Sequence, residues 1–205
     1  TDRKPGRFLL LGSSSPHLIK GVSESLAGRI AYLDLGGINL PEAHKSKISQ
    51  NNLWFKGGFP IALISKENSV AQNWLNNLIK SYAEKDMQEL FGAEFSSVTI
   101  RNFWSMLAHN NGAVWNKENY TKSLGITAPT VGRYLEYMEA AFLLTRLQPW
   151  FSNSKKRLVK SPKVYVRDTG ILHTLLKTGD IDDLHGHPNV GGSWEGFVIE
   201  QIRQL

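Results

Sequence analysis

Two groups of residues in this chain are suited to chemistry on phosphate. The first lies near the start, where Phe8-Leu9-Leu10-Leu11 runs into Gly12-Ser13-Ser14-Ser15-Pro16. A parallel strand buried on both faces reads as a continuous apolar run, and ligands sit just beyond the carboxyl ends of such strands. The pattern is that of a strand ending at a nucleotide pocket, with hydroxyls at its rim. The same serines would also cap a helix opened by Pro16. The second group is basic: Lys155, Lys156, Arg157, Lys160, Lys163 and Arg167 lie close together. Such a cluster can neutralise several phosphates and release their counterions; it would also serve as a solvated face. Other chemistries are poorly provided. Cysteine is absent, which removes disulfides, thiolate metal sites and cysteine nucleophiles. His173, His185 and His187 have no cysteine or nearby carboxylate to complete a tetrahedral zinc set. Gly36-Gly37 and Gly57-Gly58 are not followed by Lys, and G-x-x-x-x-G-K-[ST] occurs nowhere. A phosphate cradle needs backbone N–H groups and that Lys together. This chain alone is therefore expected to take no cofactor and to hydrolyse no ATP.

The elements that must position these residues can be read from spacing. Phe8 to Leu11 and Ile30 to Leu35 read as strands, with a helix from Pro16 to Ala27 between them. Trp54 to Pro60 reads as a turn. Val70, Trp74, Leu75, Leu78, Ile79 and Tyr82 recur at helical spacing, so a helix is expected over about 68–90, and a second over about 97–108. A short helix ending at Leu124, the turn Gly125-Ile126-Thr127, and a helix from Ala128 make a helix-turn-helix, with Thr127 as N-cap. Two strands follow, Phe142 to Leu147 and Val164 to Val166, with most of the basic cluster between them. A helix-turn-helix followed by a basic hairpin is a winged helix. On its second helix, Thr130, Arg133 and Tyr134 are the candidates to face a DNA groove: Arg pairs with guanine, Thr with phosphate or a thymine methyl. Lys155, Lys156, Arg157 and Lys160 are the candidate phosphate contacts. Glu136 and Glu139 on the same helix weigh against DNA and towards a docked protein. A helix over Thr169 to Leu176 follows, with Asp168 placed to cap it, then a loop to Gly192 and a last helix from Ser193.

With 205 residues, 41% hydrophobic and 20% charged, the composition is that of a globular protein. A net charge of +6 suits a polyanionic partner, nucleic acid first. No apolar run approaches the roughly 18 residues of a membrane span, and no signal peptide is visible, so no membrane partner is expected and the cytoplasm is the expected location.

In sequence order, Pro5 to Ser14, Glu24 to Arg29, Gly57-Gly58-Phe59-Pro60, Ser161 to Gly170, His187-Pro188 and Trp194 to Glu200 resemble a bacterial and archaeal family of predicted AAA+-type ATPases. That family carries a winged helix and a C-terminal part similar to the PD-(D/E)XK nuclease fold. The resemblance runs over nearly the whole chain. It implies that this chain begins after the phosphate loop and ends early, and that the parent protein binds ATP and Mg²⁺, is coupled to DNA, and forms homo-oligomers. It also implies residue roles. Ser13 would act as the first sensor, because Leu11 stands where the family often has Thr. Arg29 would be an arginine finger acting on a neighbour's nucleotide. Glu200 would be the first acid of the nuclease-like part, although Glu195 and Glu200 do not share one helix face closely.

The expected fold is α/β and largely helical. It comprises the C-terminal part of an ATPase α/β core (1–55), a helical lid-like region (56–112), a winged helix (113–166) and the start of a nuclease-like domain (167–205). The expected function is that of a fragment of an ATPase coupled to DNA. The alternatives are a non-catalytic winged-helix module binding protein or DNA, and part of a metal-dependent nuclease.

Overall fold

The computed structural model describes residues 8–9, 11–12, 31–86, 96–150 and 161–205. Four helices come first. α1 (Leu40–Lys45) opens on a capping box, in which Asn39 accepts from the Glu42 N–H and Glu42 accepts from the Asn39 N–H. α2 (Gln50–Lys56) is capped by Ser49, α3 is Pro60–Ile64, and α4 (Asn68–Ser81) runs on into a π-helical turn over Tyr82–Asp86. Then come α5 (Ser97–His109), α6 (Lys117–Leu124), α7 (Ala128–Ala140), β1 (Leu144–Leu147) and β2 (Lys163–Val166). The chain closes with α8 (Thr169–Leu176), α9 (Ile181–His185) and α10 (Val190–Arg203).

β1 and β2 pair antiparallel, from Leu144 opposite Val166 to Leu147 opposite Lys163. Val114 bridges Lys163 from the other side, extended by Trp115 N–H to the Pro162 carbonyl at 2.8 Å and Gly112 N–H to the Val164 carbonyl at 2.9 Å. Helix, short strand, two helices, two strands is the element order of a winged helix.

Two apolar clusters hold the fold. The larger joins α4, α5, α7, the sheet and α8 through Leu75, Ile79, Phe103, Trp104, Leu107, Val131, Leu135, Met138, Val166 and Leu172. The smaller packs Leu53, Trp54 and Phe55 of α2 against Leu63, Leu184 and Phe197. Between α2 and α8 the backbones approach so closely that a Cβ on Gly170 would overlap the Lys56 carbonyl. Asp168 closes this junction. Its carboxylate accepts from Gly58 N–H at 2.8 Å and Ile171 N–H at 2.9 Å, which caps α8 as the sequence predicts.

Several expectations need correction. Phe8, Leu9 and Leu11 form no strand and are 79–88% exposed. Residues 31–35 form no strand either, and Leu33 and Leu35 point to solvent. No partial ATPase sheet exists among the described residues: an apolar run has no ladder or core to join without neighbouring strands. Trp54, Phe55 and Lys56 belong to buried helix rather than to a turn. The loop before Gly192 contains α9, and the last helix begins at Val190. The strand from Phe142 starts at Leu144, because Phe142 takes a left-handed backbone (φ 60°) as the chain turns off α7.

Candidate nucleic-acid interface

The helix-turn-helix is built by local signals. Gly125 takes φ 64° at the end of α6, a conformation that glycine adopts without steric cost. Ile126 packs against the larger core. The Thr127 side chain accepts from Thr130 N–H and caps α7, with Pro129 in the first turn. The face of α7 turned to the core is Val131, Tyr134, Leu135 and Met138, at the i, i+3, i+4, i+7 spacing of one helical side.

This orientation sorts the candidate DNA contacts. Arg133 is exposed. Thr130 is half-buried, and its hydroxyl lies 2.9 Å from that of Thr127. Tyr134 is 3% exposed, its ring edge-on to Phe103 with centroids 5.8 Å apart. Its side chain therefore points away from any groove that α7 would enter: one residue on from Arg133 is a rotation of about 100°. Burial pushes its hydroxyl pKa up, with Arg133 opposing. Glu136 is exposed beside Arg133, whereas Glu139 pairs with Arg146 on β1.

The strands of the wing are also basic, but their charges are matched internally. Besides Arg146, Lys163 contacts both oxygens of Glu195 at 2.9 and 3.2 Å, and that hydrogen bond raises the Lys163 pKa. Arg167 grips Glu200, and its guanidinium lies 5.5 Å from the centre of the Phe142 ring. Lys155, Lys156, Arg157 and Lys160 lie outside the described residues, as do Ser13 and Arg29. One exposed side chain that spacing did not single out stands on the wing arm: Trp150, at 91% exposure.

Glu200 does not fit a metal site. Its side chain is 11% exposed, and both oxygens are engaged by Arg167, at 2.7 Å from Nη2 and 3.2 Å from Nε. Two other carboxylates of this region are committed too, Asp168 to backbone N–H groups and Glu195 to Lys163. No group of three or more His, Cys, Asp or Glu able to hold a metal occurs among the described residues.

His173 and Ser193 have the hydrogen bond of a nucleophile with its base, but are sealed from solvent at 2% and 0% exposure. A carbonyl only accepts, so His173 Nδ1 donates to the Phe55 carbonyl at 2.8 Å. Nε2 then accepts from Ser193 at 2.6 Å, and Ser193 in turn accepts from Trp54 Nε1 at 2.9 Å. Burial lowers the His173 pKa to about 4. The network joins α2, α8 and α10 and offers no reactive hydroxyl.

The order of elements and the solvent-facing helix pair define a winged-helix unit. The chain belongs to the family described as Domain of unknown function (DUF8612), whose profile matches residues 48–182. It is 39% identical over 201 residues to uncharacterized protein Rv2008c of Mycobacterium tuberculosis, and likewise to uncharacterized protein Mb2031c of Mycobacterium bovis. Each alignment covers 98% of this chain and 45% of the relative, so the chain spans less than half the length of these proteins. The solved structure of MepR, a transcription regulator of the Staphylococcus aureus multidrug efflux pump MepA, matches 66% of this chain and 96% of its own at 12% identity. Its TM-score of 0.29 is too low to bear on the fold, which rests on the element order above. No helix among the described residues is long and apolar enough to cross a membrane.

Proposed function

We propose that this chain is the DNA-binding part of a longer protein and holds duplex DNA mainly through phosphates rather than base edges. The observation that carries this reading is the segregation of charge on the winged helix. Arg146, Lys163 and Arg167 are paired with acids, whereas the sequence between the two strands adds Lys155, Lys156, Arg157 and Lys160 with no acid among them, following a helix-turn-helix that exposes Arg133. Tyr134 faces the core and the Thr130 hydroxyl lies against Thr127, which leaves α7 with little to read bases. The test is a titration of labelled duplex at rising salt. Contact with about four to five phosphates gives a slope of log K against log salt of roughly −4, with little dependence on DNA sequence. Binding without salt dependence, or none at low salt, overturns the reading and favours a protein docked on the Glu136 side of α7.

A finer reading makes the longer protein an AAA+-type ATPase that couples ATP and Mg²⁺ to this module and works as a homo-oligomer. Its support is the resemblance over Pro5 to Glu200, together with the length of the mycobacterial relatives, more than half of which lies outside the shared stretch. ATP turnover by a full-length relative, lost in the variant equivalent to Arg29→Ala when subunits are mixed, tests it. Turnover by this chain alone would contradict it. The nuclease reading finds no support in the placement of Glu200.

A further inference from the structure

Packing accounts for five of the six tryptophans. Trp54 and Trp104 are buried, Trp74 and Trp115 pack on the larger core, and Trp194 lies against Trp54 and Phe197. Trp150 is different. It is 91% exposed and stands three residues after Leu147, whose pairing with Lys163 is the last rung of the ladder. At about 3.3 Å per residue, it lies at most roughly 10 Å beyond the sheet, on the outgoing arm of the wing. The sequence from 140 to 167 contains no acid. An indole presents a large apolar surface and a π-face, and here it stands five residues before the run Lys155-Lys156-Arg157 in the sequence. Charge complementarity makes a polyanion with flat apolar faces the fitting partner.

We infer that Trp150 is a base-stacking residue of the wing, and that the preferred ligand is DNA with an exposed base, at a single-stranded tail or fork, rather than uniform duplex. This rests on the DNA-binding reading above and deepens it. Inside a regular duplex both faces of each base are covered, so an indole finds a face only where the stack ends or is opened by a wedge.

The experiment compares a labelled blunt duplex with the same duplex carrying a single-stranded tail. The wild-type chain binds the tailed DNA more tightly. Trp150→Ala loses roughly tenfold on the tailed DNA and little on the blunt one, while Trp150→Phe keeps most of the affinity. The salt slope of Trp150→Ala is unchanged, because stacking releases no counterion. Its thermal unfolding is also unchanged, since the side chain is 91% exposed. If Trp150→Ala binds both DNAs like wild type, the stacking role fails and the winged-helix reading stands; capture of an acidic protein through Trp150 would then replace it. If Trp150→Ala weakens both DNAs equally with a shallower salt slope, Trp150 supports phosphate contacts and the stacking role fails again. A wild-type chain that binds neither DNA at low salt overturns both readings.

Discussion

Arg167 and Glu200 form a two-pronged ion pair in which both side chains are close to nine-tenths buried. Arg167 follows β2 and Glu200 lies on α10, so the pair ties the last helix to the foot of the wing. Removing one partner of a buried pair strands the other charge. Glu200→Ala is expected to cost about 3–5 kcal/mol, seen in urea unfolding as a lower midpoint with an unchanged slope. Replacing both partners with apolar residues, Arg167→Met with Glu200→Leu, should recover most of that loss. A Glu200 held for metal chemistry would show the opposite behaviour, with little change in stability.

On α7, neighbouring residues should separate function from folding. Arg133→Ala is expected to leave stability within about 0.5 kcal/mol of wild type, to weaken DNA binding uniformly across sequences, and to make the salt slope shallower by about 1. Tyr134→Ala removes a ring packed on Phe103 and should cost about 3–5 kcal/mol. Chemical denaturation beside DNA titration on both variants checks this division.

Asp168 predicts a pH dependence. Burial, the largest influence, raises its carboxyl from 3.8 to about 6, against the pull of the Ile171, Gly58 and Gly170 backbone N–H groups and with the Glu200 charge adding to the rise. A carboxyl whose pKa is higher folded than unfolded holds its proton better in the folded state. Its contribution is therefore greatest below about pH 4 and is lost as pH climbs towards 6, by roughly 3 kcal/mol at most. Asp168→Asn cannot accept from both Gly58 and Ile171, so it should be destabilised throughout. The gap between wild type and variant should narrow between pH 4 and 6, as measured by urea unfolding across that range.

Two glycines should respond oppositely to alanine. A Cβ at Gly170 would overlap the Lys56 carbonyl, whereas one at Gly132 on α7 meets nothing within 4 Å. Gly132→Ala is expected to stabilise by about 0.4–1 kcal/mol, and Gly170→Ala to destabilise severely or prevent folding. Thermal unfolding distinguishes the two directions at once.

How far the sequence could be read depended on whether the signal was local. Gly125, Thr127 and Pro129 carry the helix-turn-helix in their own chemistry, and Asp168 announces the start of α8. The Ser49 cap and the Asn39–Glu42 box were equally local, yet Gly57-Gly58 drew Trp54 to Lys56 into a turn although their side chains close the smaller core. The inward side of Tyr134 was available from the spacing of Val131, Leu135 and Met138. The partners of Lys163 and Arg167 were not, since Glu195 and Glu200 meet them only once α10 has docked on the wing. Phe8 to Leu11 and Ile30 to Leu35 show another limit: an apolar run reads the same whether or not a neighbouring strand is there to cover it.

α10 reaches the wing at Glu195, Glu200 and Arg203, the last donating to Thr145 at 2.8 Å, and reaches the first helices through Ser193 to Trp54 and Gln201 to the Leu40 N–H. These contacts point in several directions around one helix, so each depends on the rotational phase of the others. A single inserted or deleted residue between 193 and 203 would turn everything beyond it by about 100° and break several contacts together. The β1–β2 rungs lie between Leu144–Leu147 and Lys163–Val166, so a change of length between Leu147 and Lys163 leaves them in register. Among family members, α10 should therefore vary by exchange at constant length, while the wing is free to lengthen or shorten. Inheritance would leave the grip of the module fixed and its reach adjustable.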